Sequence, residues 1–183
     1  MRDICSSGTS QNQQADSGGS QGSGADEVGF VTLSDGVSED FEGLFQFSQP
    51  WIVGNPPQWK VDNAESVSGT QSITNVLSKE LAATRTLKIK VNLSRPAGFM
   101  CKAKVDTSMP FDRFELYVNG EKKKSFYQRQ DGWINLSEQL PPGDNEVQFK
   151  VVNGDMFPKF ERDSMPSKYG TGHVWIDDCF IHI

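Results

Sequence analysis

Few side chains in this sequence have the types and spacing that covalent chemistry needs. The two histidines, His173 and His182, both fall in the last strand-like stretch, nine residues apart. Regular alternation sends an odd separation to opposite faces of a strand, so they are not expected to meet. The chain contains no G-x-S-x-G, H-E-x-x-H, P-loop or G-x-G-x-x-G pattern. Carboxylates are numerous, 24 in all. Yet no spacing sets two of them across a cleft at the roughly 5 Å or 6.5–9.5 Å that glycoside cleavage uses. The sequence is expected to bind rather than catalyse.

Its binding chemistry lies in aromatic rings. Flat rings flanked by hydrogen-bonding groups suit the apolar faces of sugars, and 4 Trp and 3 Tyr are present. Between Val152 and Gly172 runs a stretch without strand pattern, and long structureless loops in compact domains commonly carry function. From it Phe157, Phe160, Arg162 and Tyr169 are candidate ligand residues, joined by Tyr127 and Arg129 just before Gly132. The competing reading is that these rings pin the loop onto the domain. A third group is the cysteines, Cys5, Cys101 and Cys179, with no C-x-x-C to suggest zinc. Cys101 and Cys179 fall on predicted strands, and are either a bridge, if those strands are neighbours, or two buried thiols.

What must position these residues is a chain of 183 residues with net charge −6. The acidic balance repels phosphate backbones, so nucleic acid is not an expected partner. No window approaches the roughly 18 to 20 apolar residues of a membrane-spanning helix, so membrane insertion is not expected. Residues 1–27 are mostly Gly, Ser and Gln and bury too little to order themselves, which predicts a disordered tail or linker. Residues 28–183 read as one domain of short apolar or alternating runs separated by Gly, Pro, Asn and Asp.

Period two is clearest in Leu87, Ile89, Val91, Leu93 and in Phe99, Cys101, Ala103, Val105, each alternating with polar neighbours. Phe114, Leu116 and Val118 lead into Asn119-Gly120, the dipeptide that a type I′ hairpin turn requires. Lys122 to Lys124 then read as protection of an edge strand. Further strands are expected at Trp133–Leu136, Val147–Val151 and Val174–Ile183, with shorter ones at 41–47, 51–53, 59–61 and 72–76. No stretch carries a helical stripe. The fold class is all-β: a two-sheet antiparallel β-sandwich, or jelly roll.

Taken in order, Phe41-Glu42-Gly43, Pro50-Trp51, Trp59-Lys60-Val61, Ser68-Gly69-Thr70-Gln71-Ser72, Asp112-Arg113-Phe114-Glu115-Leu116-Tyr117-Val118-Asn119-Gly120 and Trp175-Ile176-Asp177-Asp178-Cys179 form a frame. It resembles the jelly-roll modules of secreted and surface proteins, similar to carbohydrate-binding modules and to MAM-like adhesion domains. The resemblance implies glycan or polysaccharide recognition, or alternatively an adhesive module with a protein partner, in an extracellular or cell-surface setting. It implies packing roles for Trp51, Trp59, Trp133 and Trp175. It also implies a structural calcium ion held by Glu42 of the opening motif and Asp177 of the closing one, with Asp178 in its place if the strand register is the other. Calcium takes six to eight oxygen ligands and relieves the repulsion between carboxylates from distant strands.

Overall fold

The computed structural model describes residues 30–33, 36–42, 51–54, 56–76, 83–107, 112–127, 129–152 and 172–183. The expected tail, Cys5 and most of the 41–47 stretch lie outside them. Twelve strands are present among the described residues: β1 (Val31–Leu33), β2 (Val37–Glu39), β3 (Trp51–Ile52), β4 (Trp59–Asp62), β5 (Ser72–Asn75), β6 (Thr84–Leu93), β7 (Ala97–Asp106), β8 (Arg113–Val118), β9 (Glu121–Phe126), β10 (Trp133–Leu140), β11 (Gly143–Val152) and β12 (His173–His182). They form two packed sheets. The first has the order β1-β6-β11-β8-β9, with β3 also on β6; the second has the order β10-β7-β12-β5-β4, with β2 also on β12.

The all-β sandwich expected from alternation is the fold observed. Inward positions of β6, β7, β8 and β11 are the apolar halves of their runs, and all are buried. Phe99, Phe149, Phe114 and Phe126 cross this core as a row, with successive ring centroids 6.0, 6.1 and 5.9 Å apart. Each fully buried ring of this kind contributes on the order of 2–3 kcal/mol. Asn119 and Gly120 both take positive φ, 51° and 79°, as the type I′ hairpin between β8 and β9 demands. β9, which carries Lys122 to Lys124, is an edge strand. Lys124 reaches across to Glu138 and the Ser137 carbonyl of β10, joining the edges of the two sheets.

Two features depart from the sequence reading, and one choice that it left open is decided. β1 and β2, three residues each, were not anticipated, and β1 runs parallel to β6, so the sandwich is not wholly antiparallel. Cys101 and Cys179 form a disulfide, because β7 and β12 are neighbours and both cysteines face the core. The second departure concerns β12 itself. Its register against β7 shifts between Asp177 and Phe180, and Asp178 has φ 45°. This is a β-bulge, in which one extra residue resets the alternation. His173 opposes Asp106 and His182 opposes Gly98, two positions of the same parity on β7. The two histidines therefore share the outer face of the sheet, contrary to their odd separation.

Candidate functional site

The bulge decides where the closing-motif carboxylates go. Ile176, Cys179 and Ile181 face the core, while Trp175 and Asp177 lie on the outer face of the second sheet. Both are nonetheless buried, because residues 63–71, the connection from β4 to β5, fold over them. The Asp177 carboxylate accepts the Val67 N–H at 2.7 Å through Oδ2 and the Asp178 N–H at 2.8 Å through Oδ1. Ser68 Oγ donates to Asp178 Oδ1 at 2.5 Å. Glu42, from the opening motif, accepts N–H bonds from Thr70 and Gln71, both at 2.6 Å, and the Thr70 hydroxyl at 3.1 Å. Trp175 Nε1 donates to Asp62 Oδ2, and Lys104 pairs with Glu65 over the same loop. Carboxylates from the opening and closing motifs thus hold four residues of one loop, Val67, Ser68, Thr70 and Gln71.

Their electrostatics differ. The Thr70 and Gln71 amides hold the Glu42 carboxyl below its ordinary range. Burial pushes Asp177 up, and its backbone N–H bonds from Val67, Asp178 and Ser68 do not offset this; the Asp178 charge pushes the same way. Among the described residues no Lys or Arg pairs with Glu42, Asp177 or Asp178. Asp177, with 0% exposure, is a carboxylate without a Lys or Arg counterion among the described residues. The donor chemistry suits a hard cation: carboxylates, the Ser68 hydroxyl and loop carbonyls are all oxygens. No preassembled cluster of three acidic, His or Cys ligands is found among the described residues, and the carboxylate oxygens face N–H groups. A cation there would replace loop amides as the partner of these oxygens.

The outer face of the first sheet carries a row of partly exposed polar side chains. Lys122 of β9, Tyr117 of β8, Gln148 of β11 and Lys88 of β6 are cross-strand neighbours in one row. At about 4.8 Å per strand the row spans roughly 14 Å. Further along the strands, Glu115 stands opposite Lys150 of β11 in the backbone register. The Glu115 side chain is 3% exposed and accepts from Arg113 Nε at 3.1 Å, Lys122 Nζ at 2.9 Å and the Tyr117 hydroxyl at 3.0 Å. Burial opposes its charge, but the Lys122, Tyr117 and Arg113 donors prevail and its pKa is lowered. Lys150 Nζ stands 4.5 Å and Lys122 Nζ 5.9 Å from the Tyr117 ring centroid.

Of the ligand candidates read from sequence, Phe157, Phe160, Arg162 and Tyr169 lie outside the described residues. Tyr127 is 55% exposed at the end of β9, close enough to Lys122 to act on its ammonium. Arg129 turns away to the other sheet, where it pairs with Asp106 of β7 at 3.2 Å. The structure thus does not give Tyr127 and Arg129 a common partner. Trp51 and Trp59 are core, and Trp175 is covered by the loop. The sequence reading does not single out Glu115, Tyr117, Gln148 and Lys150, which the sheet brings together. Their signal is alternation: each lies between inward apolar residues of β8 or β11.

No protein-family model matches the sequence, and no curated protein does. Solved structures do share its fold. A xylan-binding domain from CBM 22, formally termed x6b, superposes with TM-score 0.50 and 13% identity, covering 86% of this chain and 96% of the other. The CBM22-1 xylan-binding domain from Paenibacillus barcinonensis Xyn10C gives TM-score 0.50 and 13% identity, over 80% of this chain and 92% of that one. At that identity the likeness is one of fold: the jelly-roll sandwich of carbohydrate-binding modules.

Proposed function

We propose that this jelly-roll domain is a non-catalytic module that binds a glycan or polysaccharide, with calcium stabilising the loop at residues 63–71. The observation that carries the reading is the division of labour between the two outer faces. One is closed by a loop strapped down by Glu42, Asp177 and Asp178. The other carries Tyr117 with amide and ammonium groups, all partly exposed, in a row across four strands. A ring amid hydrogen-bonding side chains on a rigid sheet is what sugar recognition uses. Sharing a fold with two xylan-binding domains supports a polysaccharide as the ligand class.

Glu42, Asp177 and Asp178 would hold the calcium, which would supply buried Asp177 with a positive charge that no described Lys or Arg gives it. The Cys101–Cys179 disulfide supports an extracellular or cell-surface setting, since such bonds persist in oxidising compartments. A second reading, an adhesive module with a protein partner, draws on Met100, 42% exposed and paired with Phe180 on the outer face of the second sheet. The deciding experiment is retention of the protein on soluble glycans and insoluble polysaccharides, with calcium and again with chelator. Specific retention establishes the carbohydrate reading. No retention by folded protein across the panel moves the assignment to the adhesive module.

A further inference from the structure

We propose that the glycan bound on the outer face of the β6-β11-β8-β9 sheet is anionic, its carboxylate or sulfate groups taken by Lys150 and Lys122 on either side of Tyr117 and by Lys88 at the end of the row. This inference rests on the glycan reading above and names the class of polymer.

Two observations carry it. Around Tyr117 three cations, Arg113, Lys122 and Lys150, face one carboxylate, Glu115, so the cluster has surplus positive charge in a chain of net charge −6. Lys150 has no acidic partner among the described residues and lies over the ring instead. On the neighbouring strands Lys88 and Lys90 both reach Glu146, at 3.8 and 3.9 Å.

The second observation is the ring itself. A platform for a neutral sugar presents a bare aromatic face, whereas Tyr117 has ammonium groups within 4.5 and 5.9 Å of its centroid. An ammonium on a ring surface keeps N–H donors free, and a carboxylate or sulfate is the acceptor with which they bond most strongly. Glu115 fixes the arrangement from below by holding Arg113, Lys122 and the Tyr117 hydroxyl together, and Lys150 stands over the ring outside these bonds.

The test compares matched polymers by calorimetry and affinity electrophoresis: polygalacturonate against its methyl-esterified form, and dextran sulfate against dextran, at low and high salt. The whole protein is acidic, so its long-range field repels every polyanion and retention reports local contacts. At least one acidic polymer is expected to bind about tenfold more tightly than its neutral partner, with affinity falling as salt rises. Which of the two binds tells whether the ligand group is carboxylate or sulfate. Lys150→Gln leaves the Glu115 ion pairs intact and is expected to weaken binding about five- to tenfold. Lys150→Arg should keep it, and Lys102→Gln on the opposite sheet should change nothing. Equal, salt-insensitive binding of the neutral partners overturns the charge inference and leaves the glycan reading standing. Absence of binding to all four polymers and to the wider panel overturns both. Equal losses in Lys150→Gln and Lys102→Gln show diffuse attraction and overturn the site.

Discussion

The carboxylate of Glu42 occupies the place where a Cβ on Gly69 would have to sit. Gly69 also holds φ 57°, in the left-handed region. Gly69→Ala therefore carries two penalties, the backbone conformation and displacement of Glu42 from the Thr70 and Gln71 amides. Together they are expected to cost about 2–3 kcal/mol, read as a lower urea midpoint. Because the second penalty acts through Glu42, Glu42→Ala in the same chain should recover that part of the loss. Simple additivity in that double-mutant cycle would show that the contact does not constrain the loop.

The disulfide lies one residue beyond the bulged Asp178 and ties β12 to β7 at the point where their register shifts. It closes a loop with a sequence separation of 78. Reduction, or the Cys101→Ala/Cys179→Ala pair, is expected to lower stability by about 2–4 kcal/mol. Thiol titration confirms the reduction, and an unchanged urea midpoint after it would remove the bond from the list of stabilising features.

How much of this was legible beforehand depends on the physical range of each signal. Alternation is local, so the strands from Leu87 to Val151 and the Asn119-Gly120 turn could be read directly. Bulges are not announced in the same way. Nothing in Trp175-Ile176-Asp177-Asp178-Cys179 fixes which Asp takes the extra position, beyond the tolerance of Asp for positive φ. The faces of His173, Asp177 and His182 all depend on it. The row Lys122, Tyr117, Gln148, Lys88 could not be foreseen for a different reason. β11 inserts between β6 and β8, so its members come from four strands whose order is a property of the whole sandwich. The cysteines illustrate the same limit: each was visibly on a strand, but only the adjacency of β7 and β12 makes them a pair.

Calcium at Glu42, Asp177 and Asp178 has a thermal signature. A cation that binds the folded chain alone stabilises it by about 2.7 kcal/mol at a hundred times its dissociation constant. The melting midpoint is expected to rise with calcium and to return with chelator, and Asp177→Asn should abolish the response. Magnesium should act weakly, since it demands a stricter octahedral shell. A midpoint indifferent to calcium and chelator would leave the loop held by its amide bonds alone.

Glu115 gives the domain a pH dependence of definite sign. Burial raises its pKa, but the Lys122, Tyr117 and Arg113 donors outweigh that and the folded value lies below the ordinary 4.5. A carboxyl of depressed pKa contributes stability that is present above the unfolded value and is lost as pH falls through the folded one. At pH 7 Glu115→Gln is thus expected to cost about 1–2 kcal/mol; the figure is modest because Arg113 and Lys122 are partly exposed and return to water when released. Below pH 4 the difference between wild type and variant should shrink, since the wild-type carboxyl takes up a proton as well. Urea unfolding of both chains from pH 7 down to pH 3 checks the sign. A gap that widens on acidification would mean that burial, not the ion pairs, governs Glu115.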